Sequence, residues 1–541
     1  MTVRPLERDR HGDRARDRRD DAHRGAGLLA PLRRSPAFRT LWSGHLAMQL
    51  GIWVQTVAAQ WYMVHAGHST LMVALVQAAI TVPFLVLGVP AGVLADLLPR
   101  RTVLVATNLA ATLTGLVLVG ASLAGALAPV PLLVLTVLLG TAQAINQAAW
   151  SASVPDIVEP ELMPSASMLA SISVNLARVV GPALGGVLIV VSGATAAFAV
   201  SGAAFLCYAL AGLAARNLRR PLGAERFTAA LRTGFAHVTH SADQLRLLAV
   251  TAGFFVPGGA FWAVLPVIAM RGMGEGADGY GFMLAVVGAG AVGGTVLLAP
   301  LRRRLSNTSY TALLIPCYAA ALVVVAVADH RAPVLAGLAV AGFAWTAVGS
   351  TLMATHQVIL APWVRARALS YHLVASQGGL AVGSYLWGAV GDHIGGPAAF
   401  CAAAAALAPV WLLVLLRWLP RPRAAGDPVP WPEPPRAAAT GRRRVLVPVE
   451  YRVDPAAERA FRDLMRQVRR SRRRTGARRW RLFADPDRPG VLVEAWTVAS
   501  WEEHVLQHLE RQTEAEARIG RAVRELVGPP LRVVHLVEHR G

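Results

Sequence analysis

The chain has 541 residues, 54% of them hydrophobic and only 16% charged, which is too apolar for a water-soluble protein of this length. Its 53 basic and 32 acidic residues give a formal charge of +21, yet the basic residues lie beside apolar stretches and form no groove, so a nucleic-acid partner is not expected. There is no lysine, which reads as the codon bias of a GC-rich bacterial genome, and Cys207, Cys317 and Cys401 sit singly in apolar segments without metal spacing.

Residues 1–39 mix Arg and Asp without apolar periodicity, the composition of a disordered, solvated tail. A helix needs roughly 20 apolar residues to cross a bilayer. Twelve such stretches fit, at Leu41–Val64, Leu71–Leu94, Val103–Leu127, Pro131–Ser151, Ala166–Val191, Ala194–Ala215, Leu245–Met270, Tyr280–Leu301, Tyr310–Ala328, Val334–Leu360, Ala368–Gly391 and Ala398–Trp418. Arginines alternate with them. The tail, Arg100 and Arg101, the 216–244 connection, Arg302 to Arg304, Arg365 and Arg367, and Arg417 fall on one side, with Arg271 and Arg331 the exceptions on the other. Positive-inside bias therefore predicts a polytopic all-α protein of a bacterial inner membrane with both termini cytoplasmic. The 216–244 connection divides it into six-helix bundles at 40–215 and 245–419.

The bundles repeat in sequence. Arg178-Val-Val-Gly181-Pro182-Ala-Leu-Gly185-Gly186 follows a polar loop after Pro155, and Tyr385-Leu-Trp-Gly388-Ala-Val-Gly391-Asp392 follows one after Pro362. Two related six-helix bundles around a midplane cavity is a secondary-transporter architecture.

Gly92-x3-Asp96-x3-Arg100-Arg101 resembles the loop signature of the major facilitator superfamily, and Gly181-Pro182-x2-Gly185-Gly186 resembles its antiporter signature. The run from Gly51 to Trp61 and the run from Pro362 to Leu369 are similar to the branch of enterobactin exporters and macrolide efflux proteins. The chain departs from that branch at Ala148, where proline is usual. The resemblance implies alternating-access export of a bulky amphipathic small molecule, such as a drug, antibiotic or siderophore, by antiport against protons.

Asp96, Arg100 and Arg101 are expected to latch the cytoplasmic ends of the bundles, with Gly92 permitting close approach. Asp156, Glu159 and Glu161 are expected to face Arg365 and Arg367 when the cavity opens outward. Arg178 is a charge in mid-span, where burial costs about 3 kcal/mol or more, so it is a candidate for substrate binding or coupling. No stretch carries a mid-depth Asp or Glu, which leaves His45, His356 and His372 as proton-coupling candidates. Gln49, Gln55, Gln60, Gln77, Gln143, Asn146 and Asn175, with Trp53, Trp61, Trp150, Phe255 and Trp262, fall on spans whose counterparts in the superfamily line the cavity. Each amide is equally open to a role in helix packing.

A proline-rich linker at 420–442 leads to a soluble unit at 443–541. Alternation at Val445–Val453, a helix opened by Asp454 and Pro455, strands at Arg478–Ala484 and Val491–Val498, a helix opened by Ser500-x-x-Glu503 and a strand at Leu531–Val537 predict βαββαβ, a ferredoxin-like order. The unit resembles the small dimeric fold of antibiotic-biosynthesis monooxygenases. Trp501, His504, Val505 and His508 share one helical face, but without a third ligand or a nucleophile no metal, cofactor or catalysis is expected. The unit is read as a docking or self-associating module, leaving a membrane-tethered enzyme or sensor, or an importer, as alternatives. Expected partners are the substrate, protons and the lipid bilayer.

Overall fold

The computed structural model describes residues 28–215, 234–360, 364–420, 443–509 and 511–538, and the side chains of Gly92, Asp96, Arg365 and Arg367 lie outside that description. The membrane part is a series of helices: α1 (Pro36–His65), α2 (Thr70–Leu97), α3 (Arg100–Leu123), α4 (Pro129–Ile157), α5 (Met163–Ala214), α6 (Ala242–Val267), α7 (Ala277–Leu297), α8 (Asn307–Val327), α9 (Arg331–Ile359), α10 (Arg365–Ile394), α11 (Gly396–Ala406) and α12 (Ala408–Leu415). Among the described residues, nine helices are long and apolar enough to cross a membrane. Leucines and valines such as Leu113, Leu116, Val187 and Val190 point outward and are more than half exposed, an apolar surface suited to lipid. The helix α4 runs unbroken through Ala148 and ends at Ile157, so Pro155 lies inside it rather than opening a loop.

The two halves turn in the same way. A straight helix of 52 residues would be about 78 Å long at 1.5 Å per residue, more than twice the ~30 Å hydrocarbon core, and α5 is in fact broken at Gly193, with φ 79° and ψ 169°. The matching turn between α10 and α11 is Gly395, with φ 84° and ψ 158°. Only a residue without Cβ adopts that backbone freely.

Small residues also set the packing. A Cβ on Gly181 would meet Trp53 of α1 at 2.6 Å, and one on Gly186 would meet the Ala277 carbonyl of α7 at 2.5 Å, so α5 is wedged between its own half and the other. Likewise a Cβ on Gly383 would meet the Val256 carbonyl of α6 at 2.1 Å, and one on Gly388 would meet Ala74 of α2 at 2.5 Å. The pair of neighbours is exchanged between the halves as a two-fold repeat requires. Backbones approach this closely only where small side chains permit it.

After residue 443 comes a separate sheet. Its elements are β1 (Val445–Arg452), α13 (Glu458–Arg474), β2 (Arg478–Ala484), β3 (Val491–Val498), α14 (Trp501–Leu509), α15 (Glu514–Val527), β4 (Arg532–Val533) and β5 (Leu536–Val537). The strand order is β2-β3-β1-β4, with β5 also on β1 and every pairing antiparallel. Val445, Val447, Val449 and Tyr451 alternate inward from β1 and pack on Phe461, Met465 and Val468 of α13. Three details differ from the sequence expectation. The Asp454 carboxylate accepts from the Ala456 amide at 2.8 Å and holds a turn, so α13 starts at Glu458 rather than at Pro455. The single second helix is divided into α14 and α15, the latter opened by a capping box of Thr513 and Glu516. The closing strand is interrupted at Val534 and His535, leaving β4 and β5 as two short pieces.

Candidate functional site

Polar and aromatic groups join the halves at mid-depth and at the end of the bundle poor in arginine. At mid-depth, Arg178 on α5 donates through Nη1 to the Thr346 hydroxyl on α9 at 3.3 Å, while its buried Nε has no hydrogen-bond partner among the described residues. One turn along α5, Gly181 packs on Trp53, whose ring meets that of Trp262 across the halves with centroids 5.4 Å apart. Trp262 continues into a ring cluster of Trp345, Phe255, Phe254 and Tyr318, each neighbouring pair within 6.0 Å. Phe254 and Tyr318 are fully buried, so that end of the cluster is core packing of the second half, and Trp53 with Trp262 is the part that spans the two halves.

Nearer the Arg-poor end, Tyr280 donates to Gln60 Oε1 at 2.8 Å and Gln60 Nε2 donates to the Trp262 carbonyl at 3.3 Å. Arg271 donates to the carbonyls of Val64 and His68, and the Leu71 amide donates to the Asp392 carboxylate at 3.2 Å. These bonds close that end. A cavity of about 620 Å³ lies there, lined by Trp61, His65, Ile189, Met270, Arg271 and Glu275.

At the opposite end the charge contacts among the described residues stay within one half. Arg100 pairs with Asp156 on α4, Arg101 donates to the Leu213 carbonyl at 2.6 Å, and Glu159 lies 3.9 Å from Arg34. Asp156 is thus engaged by Arg100 of its own half, and its expected facing with Arg365 and Arg367 concerns an outward-open arrangement and side chains outside the described residues. Gly92, Asp96, Arg365 and Arg367 fall outside the described side chains.

The remaining candidates separate into groups. Gln55 accepts from Ser201 at 3.2 Å and Asn146 donates to Thr107 at 3.0 Å, both joining helices inside the first half. Asn175 bonds its own helix at Ser171, Gln77 and Gln143 are buried, and Gln49 is partly exposed. His45 stacks on Trp150 with centroids 4.4 Å apart and shares a hydrogen bond with Ser173 at 3.1 Å. His356 on α9 and His372 on α10 are buried together, Nδ1 to Nδ1 at 3.0 Å. Gly181, Pro182, Gly185 and Gly186 serve the packing of α5 described above.

The soluble unit contains its own pocket. A cavity of about 330 Å³ is lined by Val447, Val449, Trp496, Gln512, His508 and His535 among others. Behind it Glu494 is fully buried and accepts from Trp480 at 2.8 Å, Arg472 at 3.2 Å and Tyr451 at 3.3 Å. Burial, reinforced by that carboxylate, pushes the Tyr451 phenol up. His504 packs edge-on against His508, 4.6 Å between centroids, and at a tilt against His535, 4.9 Å. Burial and its two imidazole neighbours push His504 down to about 3, so it is neutral at physiological pH. The third imidazole, His535, lies outside the helical face read from the sequence.

A family profile described as transmembrane secretion effector matches residues 26–540. The chain belongs to that family. It is a multi-pass membrane transporter of the major facilitator type, working by secondary transport, and not an enzyme. The chain is 25% identical over 172 residues to the staphyloferrin A transporter of Staphylococcus aureus (strain NCTC 8325 / PS 47), a match spanning 32% of this chain and 43% of that relative. Among solved structures it is similar to a bacterial homolog of the human lysosomal transporter Spinster in an inward-facing, unoccupied conformation, with a TM-score of 0.54 and 18% identity over 71% of this chain and 94% of that one. The nucleoside transporter NupG gives a TM-score of 0.53 at 11% identity over 71% and 100% of the two chains. The human organic anion transporter MFSD10 (TETRAN) gives 0.51 at 15% identity over 70% and 98%. These likenesses establish the fold.

Proposed function

We propose that this transporter exports a bulky, partly apolar small molecule across a bacterial inner membrane, with twelve crossings arranged six plus six and both termini cytoplasmic. The observation that carries the reading is the mid-depth site, where Arg178 meets Thr346 and its helix packs on the cluster running from Trp53 through Trp262 to Phe255. A cation on the same helix that packs on Trp53 one turn later, at Gly181, suits a ligand with an anionic or carbonyl-rich end and a hydrophobic body. The bonds of Gln60, Arg271 and Asp392 at the Arg-poor end fit a resting state closed toward the outside, ready to load from the cytoplasm. The relative named for staphyloferrin A supports keeping siderophores among the candidate cargoes.

For coupling we favour the His356 and His372 pair. Two imidazoles facing each other through Nδ1 need one proton between them, since one nitrogen must donate and the other accept. A second proton breaks that bond, which links protonation to the packing of α9 against α10. The C-terminal unit, whose strand order agrees with a ferredoxin-like sheet, is read as a cytosolic docking or self-associating module.

Metabolites inside cells and in the medium of the native host, with the gene intact, deleted or carrying Arg178→Ala, test the reading. Export predicts that one bulky compound accumulates inside the deletion and Arg178→Ala strains. Depletion of a compound from cells, with its accumulation in the medium, would establish import instead.

A further inference from the structure

We propose that His504, His508 and His535 of the C-terminal unit hold a divalent first-row transition-metal ion. One ring nitrogen from each lies within 4.8 Å of the others. Tetrahedral coordination with metal to nitrogen distances of about 2.05 Å sets ligand atoms about 3.3 Å apart, so small ring rotations of roughly an ångström close the set.

The environment suits ligation better than packing. His504 is fully buried, with Gln507 the hydrogen-bonding side chain beside its ring and neither ring nitrogen engaged at full hydrogen-bond geometry. The Nε2 of His535 is likewise buried and unpartnered. Leaving such nitrogens poorly satisfied in the interior is costly, and a metal bond removes that cost. Imidazole is the usual ligand for zinc, copper, nickel and ferrous iron, and it ligates in its neutral form.

Local geometry explains how the triad assembles. His504 and His508 are four residues apart on α14 and therefore share a face. His535 lies in the interruption between β4 and β5, while the neighbouring Val534 amide still bonds the Pro448 carbonyl at 3.0 Å. That bond anchors the gap to β1, and the His535 ring reaches Trp501 and His504. His508 and His535 line the cavity of about 330 Å³, so a fourth coordination position opens onto a largely apolar chamber bounded by Val447, Val449 and Trp496. Three protein nitrogens and an open position describe a site able to take a small donor molecule as fourth ligand.

The test uses the full chain in detergent, purified through a histidine-free affinity tag and stripped with chelator. Equilibrium dialysis against Zn²⁺, and titration with Co²⁺ followed by visible absorption, should show one equivalent bound, with a Kd of micromolar or tighter, and a higher melting temperature in the presence of metal. His508→Ala and the half-buried His535→Ala should each weaken binding about a hundredfold or more and abolish the metal-dependent rise in melting, while melting near the metal-free wild type. If the wild type binds no metal, or if either alanine variant binds as the wild type does, the proposal fails.

Discussion

The helices α5 and α10 occupy equivalent places in the two halves and pack by the same device, yet they carry different chemistry. Each is clasped by one neighbour from its own half and one from the other through glycines without space for a Cβ, Gly181 and Gly186 on α5, Gly383 and Gly388 on α10. On α5 the polar group at mid-depth is Arg178, reaching Thr346; on α10 it is His372, paired with His356 toward the Arg-rich end. Packing obeys the two-fold repeat and polarity breaks it. The asymmetry matches the proposed division of labour, in which one half would grip a ligand and the other would respond to protons.

Five substitutions probe that contrast, beginning with the largest effect. Gly186→Leu drives a side chain into the Ala277 carbonyl, already 2.5 Å from a bare Cβ, and should abolish both folded yield and transport; Gly388→Leu should do the same on α10. Survival of one and not the other, judged by monodisperse yield in detergent, would show that the packing roles are unequal. Arg178→Ala should leave folding intact and lower transport on the order of tenfold or more, because hydrogen bonds from charged groups contribute about 1.5–3 kcal/mol. Substrate-dependent efflux from proteoliposomes measures it.

A smaller change follows from Tyr280→Phe, which removes the bond to Gln60. About 1 kcal/mol should shift the closed population at the Arg-poor end about fivefold, read from spin-label distances across that end. The last effect appears only as pH is lowered and lies at the junction of the soluble unit with the bundle, where burial and the neighbouring Arg474 push His237 down to about 3. A lowered histidine pKa means that the unfolded state binds the proton more tightly, so stability is complete above about 6.5 and declines as pH falls from there toward 3. Between pH 7.5 and 5 the loss is at most about 2 kcal/mol, and His237→Gln should flatten the melting temperature over that range.

Glycine spacing made the repeat legible in the amino-acid sequence, because Gly181 and Gly388 recur after similar polar loops, and arginine placement marked one end of the helices. The amides were harder. Gln60, Gln55 and Asn146 look alike in sequence, yet Gln60 bridges the halves while Gln55 and Asn146 tie helices within one, a distinction decided by which helix stands opposite. His535 was invisible as a site residue because an isolated histidine in an apparent strand carries no ligand signal. It reaches His504 only because β4 and β5 separate at that point while both remain on β1. Asp454 misled for a local reason, since an Asx turn and a helix cap draw on the same side chain.

Gly193 and Gly395 reverse the chain almost within a single residue, and the turns after α1 and α3 are nearly as short. On that side, apart from the 268–276 connection beside the cavity of about 620 Å³, the surface offers only short turns. A protease, an antibody or a phage seeking an epitope there finds hardly a loop to hold, and an inserted tag would have to force two neighbouring helices apart. Recognition by other macromolecules is thereby concentrated on the opposite side, where the polar connections and the appended sheet reside.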